Sequence, residues 1–509
     1  MYQALDKLKA SPKTLDYLFP TKSTKPSAAH QIYRIKLDTS SLYNSSIATN
    51  GEQLQAVHQI LNGLSPHEPY IIIGPPGTGK TTTIAEAILQ LYFQGDNRIL
   101  VTAGSNSACD TIALRLCEIF STHHKLSEMR EQCNLKWTME LKHRYMDAHK
   151  LKGVLNKKWV ESLKTLRLFA LSFNMSSVDP KLKEHFVCQT SAQTRALGSF
   201  KLIVATLCTV GRMVVSGCGH FSHVFIDEAA ASSEPEALMG IMGTRGDDGH
   251  IILSGDHKQL SAVIKSERAA ALGLEQSLME RLMLCEAYAV DEKGNYDHAL
   301  QARLRRNYRS HPAIVGIYNK LYYNNELIAL APLGQVSQAA NWKVLPNREY
   351  PVLFHAVQGK TRREKNSTSS FNELEASLVY SYVMHLMRNG LGGGVMVKQE
   401  DIGVVTPYVA QCRLLSRSLS ERGQRQVEVG SVEKYQGREK LIIIASLVSS
   451  FTSARFITNP KRMNVFLSRA KSLLIMIGNP LTLSQNADFK FIIEQCKLKG
   501  NYVTGNEVQ

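Results

Sequence analysis

The stretch that decides the fold is Tyr70–Phe93, YIIIGPPGTGKTTTIAEAILQLYF. Four apolar residues, Tyr70 to Ile73, run without alternation, as in a strand buried on both faces of a parallel sheet. A glycine-rich turn follows, GPPGTGKT at 74–81, and then a helical stretch from Thr82 to Phe93. Strand, glycine-rich turn and helix in this order form a phosphate-binding loop. The glycines let successive N–H groups point at a β-phosphate, and Lys80 brings an ammonium between the β- and γ-phosphates. The Thr81 hydroxyl is placed to ligate Mg²⁺. Gly74, Pro75, Pro76, Gly77, Thr78, Gly79, Lys80, Thr81 and Thr82 are therefore the expected triphosphate cradle.

Outward from this loop the same grammar repeats. Apolar runs at 99–101, 202–205, 224–226 and 251–253 lie downstream, with helical stretches such as 234–242 between some of them. A second set occupies 352–354, 402–405, 427–429, 441–445 and 473–477. The fold class is α/β, two domains with parallel sheets joined near residues 290–302, where Asp291 to Asp297 reads as a turn or short linker. Residues 121–200 lack such runs and read as a helical insertion, bounded at about 115–200, with fourteen Lys or Arg against seven Asp or Glu. The expected organisation is an amino-terminal segment 1–44, a first domain 45–300, a second domain 301–482 and a carboxy-terminal helix and tail 483–509. Gly392–Gly394 reads as a hairpin connection.

Strand ends carry the chemistry. Asp227 and Glu228 follow the run at 224–226. The first can reach a metal beside the loop, and the second can hold and deprotonate an attacking water. Gln259, in GDHKQL at 255–260, is placed to sense the γ-phosphate, with Asp256 orienting its loop. Arg309, in NYRSHP, and Arg469, in LSRAK, come from the second set. Each is a candidate cation for the phosphoryl-transfer transition state, and Tyr308 can stack on adenine.

Composition narrows the partners. Lys plus Arg is 60 against 44 for Asp plus Glu, a net charge of +16 in 509 residues. That balance favours a polyanion, most often nucleic acid. Nine scattered cysteines without a C-x-x-C pair read as reduced thiols rather than a zinc site or disulfide framework. The longest apolar run, near Leu441–Leu447, is too short to span a bilayer, so no membrane partner is expected. The first twenty residues, with lysines at 7, 9 and 13 and no apolar core, do not have a leader's pattern.

The ordered strings NGEQ, GPPGTGKT, AGSNSACD, VFIDEAA, GDHKQL, NYRSHP, VVTPY, VEKYQGRE and MNVFLSRAK resemble the superfamily one RNA helicases. The flanks SHVFIDEAAASSEPEAL and LSRAKSLLIMIGNP are most similar to the Armitage and Moloney leukaemia virus ten group, related to the up-frameshift helicase of nonsense-mediated decay. The resemblance covers about residues 45–482. It implies two RecA-like domains with ATP and Mg²⁺ between them, single-stranded RNA across their top and 5′-to-3′ movement. It implies that Gln53 reads adenine, that Tyr308 stacks on it, and that Glu439 contacts ribose with Gly437 beside it. Arg309 and Arg469 become arginine fingers. Ser105, Asn106, Thr206, Thr406, Pro407, Tyr408 and Ser431 fall along the RNA backbone, where small polar groups suit sequence-blind contact.

Two departures stand out. Position 104 is Gly where relatives usually carry Pro, and no run of alternating strands before the core offers the family's small β-barrel. The family further implies small-RNA silencing or RNA decay, Argonaute-type or decay proteins as partners, and a cytoplasmic location in ribonucleoprotein granules. Two other readings stay open: an RNA-binding platform that uses ATP as a clamp switch without unwinding, and a DNA helicase of the same superfamily.

Overall fold

The computed structural model describes residues 18–20, 37–63, 68–122, 200–215, 217–244, 249–364, 367, 369–448 and 459–508. Most of the expected helical insertion, residues 123–199, lies outside the described residues.

The first sheet contains β1 (Tyr70–Ile73), β2 (Ile99–Ala103), β3 (Leu202–Thr206), β4 (His223–Asp227), β5 (His250–Gly255) and β6 (Gln301–Arg303) in the order β3-β2-β4-β5-β1-β6. All its pairings are parallel. Two short pieces follow, β7 (Arg306–Asn307) and β8 (Ile328–Ala329). The second half runs β9 (Val352–Ala356), an antiparallel hairpin β10 (Thr361–Arg363) and β11 (Ser370–Asn372), then β12 (Ile402–Val405), β13 (Glu428–Gly430), β14 (Lys440–Ser446), β15 (Ala470–Gly478) and β16 (Tyr502–Thr504). Its sheet is also parallel, in the order β13-β12-β14-β15-β9-β16. Numbered within each six-stranded sheet, the two orders are identical, 3-2-4-5-1-6. Each apolar run read from the sequence is one of these strands.

The runs lack alternation because both faces of each sheet are covered. Along β1, Ile71 and Ile73 enter one core cluster while Tyr70 and Ile72 enter another. That division follows the two-residue period of a strand. The principal helices are α1 (Gly51–Asn62), α2 (Lys80–Phe93), α3 (Asn106–Thr122), α4 (Leu207–Val215), α5 (Glu234–Ile241), α6 (Leu278–Leu282), α7 (Pro312–Tyr322), α8 (Glu373–Asn389), α9 (Val409–Glu421), α10 (Pro460–Leu467) and α11 (Ala487–Leu498). Among the described residues no helix is long and apolar enough to cross a membrane.

Several boundaries move. β6 pairs with β1, so the first domain runs past 300 to Arg303. The Asp291–Asp297 stretch is a turn inside that domain, closed by Asn295 N–H donating to Asp291 Oδ1 at 2.7 Å. The segment 483–509 is not a separate tail. α11 buries Phe489, Ile492 and Ile493 in the second core, and β16 adds to the sheet beside β9. Residues before 45 also pack on the first domain, where Tyr43 and Asn44 N–H donate to the buried Glu86 carboxylate at 3.0 and 2.9 Å. An insertion starting near 115 would cut α3, whose Leu116 and Ile119 are buried in the first core. Gly392–Gly394 joins helix α8 to strand β12 and is not a hairpin.

Candidate nucleotide site between two domains

The phosphate loop leaves β1 at its carboxyl end. Gly77 and Gly79 have φ of 72° and 85°, a region that glycine enters without a side-chain clash. Close approach adds a second reason for glycine. A Cβ on Gly77 would lie 2.6 Å from Arg309 Cβ, and one on Gly79 would lie 2.5 Å from Gln53 Nε2. Gly79 caps α2 with no side-chain hydrogen bond, so the N–H groups of the first turn are left for an anion. Thr78 Oγ1 donates to Pro75 O at 2.8 Å, and Lys80 Nζ closes over the loop onto Gly74 O at 2.5 Å. Gln53, expected to read adenine, is buried and donates to Gly79 O at 3.1 Å and Thr83 Oγ1 at 3.0 Å. It therefore anchors the end of the loop.

Asp227 ends β4, in the same layer as the loop. It is 3% exposed, and its Oδ1 has no hydrogen-bond partner. Burial and the neighbouring Glu228 push this carboxyl up to about 6, against the pull of the Lys80 ammonium. A buried, unpartnered carboxylate oxygen is costly unless something binds it. The donor set of Asp227 and the Thr81 hydroxyl, all oxygen, fits Mg²⁺, which takes few protein ligands beside phosphates and water. Glu228 holds a positive φ of 49°, uncommon for a residue with a side chain. Such strain clusters at functional sites.

The second half reaches back into this region. Arg469 is 2% exposed and lies on Gln259, its Nη2 donating to Oε1 at 3.0 Å. Its other N–H groups are spent on Val465 O, Arg438 O and Ser468 Oγ at 2.7, 3.2 and 2.8 Å. Burial, then Arg309 nearby, lowers this guanidinium to about 10, still charged at neutral pH. Gln259 Nε2 donates to Asp256 Oδ2 at 2.7 Å. That same oxygen accepts from Tyr323 Oη, of the second half, at 2.6 Å. Asn464 of α10 donates to Tyr323 Oη and to Lys258 O at 2.6 and 2.9 Å. Lys461 adds a contact with the Glu280 carboxylate of α6 at 3.0 Å.

Arg309 lies against Gly77 with its guanidinium turned to Glu439, which it ion-pairs, and to Ser468 O at 3.2 Å. Lys471 also pairs with Glu439, at 2.7 Å. Burial would raise this carboxyl, but Arg309 and Lys471 outweigh it and hold it down at about 2. Glu439, expected at a ribose, here holds Arg309, and Gly437 beside it is exposed with a φ of 73°. Tyr308 is 41% exposed at the rim, free to offer a ring face, and its hydroxyl meets Asn50 Nδ2 at 3.0 Å.

Sequence reading passed over Asn307, Tyr323 and Asn464. Asn307 is wholly buried and donates to Pro76 O of the loop at 2.6 Å. An asparagine beside NYRSHP's arginine was visible, but nothing local showed its partner lying 231 positions away.

The residues expected along RNA sit at equivalent places in the two sheets. Ser105 and Asn106 follow β2, Thr206 ends β3, Thr406 to Tyr408 follow β12, and Ser431 follows β13. These are the carboxyl ends of the two outermost strands on matching edges. Ser105 and Asn106 are exposed; Thr206, Pro407, Tyr408 and Ser431 are half-buried. Thr406 departs from the expectation. Its side chain is buried, and its N–H ties β12 to β13 through Gly430 O at 3.1 Å. At Gly104, a Cβ would stand 2.7 Å from Ser232 Oγ, so Ser232 takes up the space that a larger residue would need.

One phosphate loop, two matched parallel sheets and a guanidinium, that of Arg469, brought from the second to the first define a P-loop nucleoside-triphosphatase fold of paired RecA-like domains. Two models of AAA domains match the chain, one over residues 48–167 and 169–267 and the other over 274–481. The chain is 34% identical to putative helicase mov-10-B.1 of Danio rerio, across 97% of this chain and 47% of that protein. It is 36% identical to RNA helicase Mov10l1 of Homo sapiens, across 89% and 35%. It is 29% identical to probable RNA helicase armi of Drosophila melanogaster, across 96% and 42%. The chain belongs to the superfamily one helicases of the Armitage and MOV-10 group. It spans about half the length of the curated relatives that it matches, or less.

Proposed function

We propose that this chain is an ATP-driven motor on single-stranded RNA that moves 5′ to 3′. The observation that carries this reading is the contact between Arg469 of the second half and Gln259 of the first, beside the phosphate loop. A site shared by two bodies changes when the bond between β- and γ-phosphates is cut, and the two bodies then part or close. A grip on the polymer that lies on both bodies turns that change into a step.

Each residue has a separable task. Lys80 and the first turn of α2 bind the polyphosphate, and Glu228 orients the attacking water and takes its proton. Arg309 and Arg469 bring positive charge to the oxygens where charge spreads during transfer. Gln259 links that cation to Asp256, so the state of the phosphate side is relayed to Tyr323 and Asn464 in the second half. Mg²⁺, held by Thr81 and Asp227, would supply further charge on the phosphate oxygens. RNA lies over the carboxyl ends of β2, β3, β12 and β13, contacted through Ser105, Asn106, Thr206, Pro407, Tyr408 and Ser431. The net charge of +16 supports a polyanionic partner.

By family resemblance the cellular role is small-RNA silencing or RNA decay, in cytoplasmic ribonucleoprotein granules, beside Argonaute-type or decay proteins. The test of the biochemical reading is ATP hydrolysis titrated with single-stranded RNA and DNA. Hydrolysis rises with RNA, is lost in Lys80→Ala and Glu228→Gln, and weakens steeply with salt. Displacement of a strand from a 5′-tailed but not a 3′-tailed duplex supports the direction. Hydrolysis indifferent to nucleic acid defeats the motor.

A further inference from the structure

We infer that Asn307 is the positioning residue that fixes Arg309 against the phosphate loop. The inference rests on the reading of Arg309 as the cation that meets the transferred phosphate, and deepens it.

Asn307 ends β7 with its side chain fully buried, and both ends of its amide are used. Nδ2 donates to Pro76 O of the loop at 2.6 Å and meets Tyr318 Oη at 3.0 Å. Oδ1 accepts the N–H of Arg309 at 3.0 Å and of Ser310 at 3.1 Å. Donor and acceptor belong to one planar group, so the Arg309 backbone is held to the loop through a single rigid amide. A second tie runs beside it, Tyr308 N–H to Gly77 O at 2.8 Å. Ser310 Oγ donates to Ala470 O at 2.7 Å, which joins the clip to the residue after Arg469.

The clip explains two features that loop and arginine do not explain separately. Gly77 has no room for a methyl group, since a Cβ would lie 2.7 Å from Asn307 Nδ2 and 2.6 Å from Arg309 Cβ. Among the described residues the Arg309 guanidinium, by contrast, hydrogen-bonds only to Glu439 and Ser468 O, both of the second half. The backbone of Arg309 is therefore pinned to the first half while its charged end can swing. That geometry suits a cation whose reach, not whose backbone, changes during turnover. Aspartate at this position keeps the acceptor for Arg309 N–H but sets an oxygen against Pro76 O. It breaks the loop side of the clip and spares the other.

The experiment uses the full chain with Asn307→Asp, Arg309→Ala and the double variant. Asn307→Asp is expected to lower kcat for ATP by about 10²-fold, the scale of a misplaced catalytic group. ATP KM should stay near wild type, while the melting midpoint should fall by a few degrees, because a buried oxygen then faces Pro76 O. In the Arg309→Ala background Asn307→Asp should cost nothing further, because the residue to be positioned has gone. Hydrogen exchange reads the clip without turnover. Peptides covering 75–79 and 307–311 should lose protection in Asn307→Asp, whether or not RNA stimulates the wild type. Equal losses with and without Arg309, or unchanged protection over both peptides, overturn the assignment. RNA-independent hydrolysis by the wild type would instead sink the motor and leave this clip standing.

Discussion

The two halves share one strand order, yet the helix that follows the first strand starts differently in each: open to phosphate in the first half, filled by its own side chains in the second. In the first, β1 leads through GPPGTGKT to α2, whose cap is Gly79, with no side chain to fill the first turn and no acidic residue within it. In the second, β9 leads through a hairpin to α8, whose cap is Asn372, its side chain accepting from Glu375 N–H at 3.1 Å. Glu373 and Glu375 lie in that first turn. Glu375 is fully buried and accepts from Ser446 Oγ at 2.8 Å and Val448 N–H at 3.0 Å. A helix amino terminus attracts negative charge. The second half supplies its own carboxylate there, whereas the first leaves the place for a phosphate. Duplicated topology thus yields one nucleotide site, and the second half contributes cations to it from other strands.

Writing the second half's solution into the first should have the largest effect. Gly79→Asp puts a carboxylate at the end of α2. Two unit charges about 4 Å apart near a protein surface repel by about 4 kcal/mol, or about 10³-fold in affinity. ATP binding measured by titration should fall on that scale, and retained affinity would break the comparison. The reverse change, Glu375→Gln, should leave ATP affinity alone. It sets an amide against Val448 N–H and should cost about 2–3 kcal/mol of stability, read from chemical denaturation of the second half. A gain of nucleotide binding there would contradict the reading of Glu375 as a filler.

A smaller effect concerns acid. His223 and His250 face each other on β4 and β5 with ring centroids 5.0 Å apart. Burial, then His250, holds His223 down at about 3. The unfolded chain therefore takes up a proton at this residue near pH 6.5 that the folded chain refuses until about 3. Stability from this group is present above the unfolded value and is lost as pH falls between the two, by up to about 2 kcal/mol at pH 5. His223→Gln should flatten that slope in melts at pH 7 and pH 5. An unchanged slope would assign the acid sensitivity elsewhere.

Both sheets were legible because parallel strands covered on two faces leave unbroken apolar runs, as at 99–101 in β2 and 441–445 in β14. The loop was legible because its chemistry is local: Gly77, Gly79 and Lys80 act within one turn. Asn307, Tyr323 and Asn464 were not, because a buried polar side chain gains its meaning from partners far along the chain. β16 escaped notice because three residues, Tyr502–Thr504, make too short a run to stand out. Thr406 was implied as an RNA contact by the family resemblance, and only packing shows that its hydroxyl faces inward.

The most direct test of a nucleotide site shared by both halves is ATP turnover by Arg309→Ala at saturating RNA, measured beside ATP affinity. Arg309 belongs to the second half, and among the described residues its guanidinium bonds only to Glu439 and Ser468 O, so its loss should spare the fold. Turnover is expected to fall by about 10³-fold or more, with affinity changed by less than about tenfold. Turnover equal to that of the wild type would show that Arg309 takes no part in hydrolysis and would contradict the shared site as described.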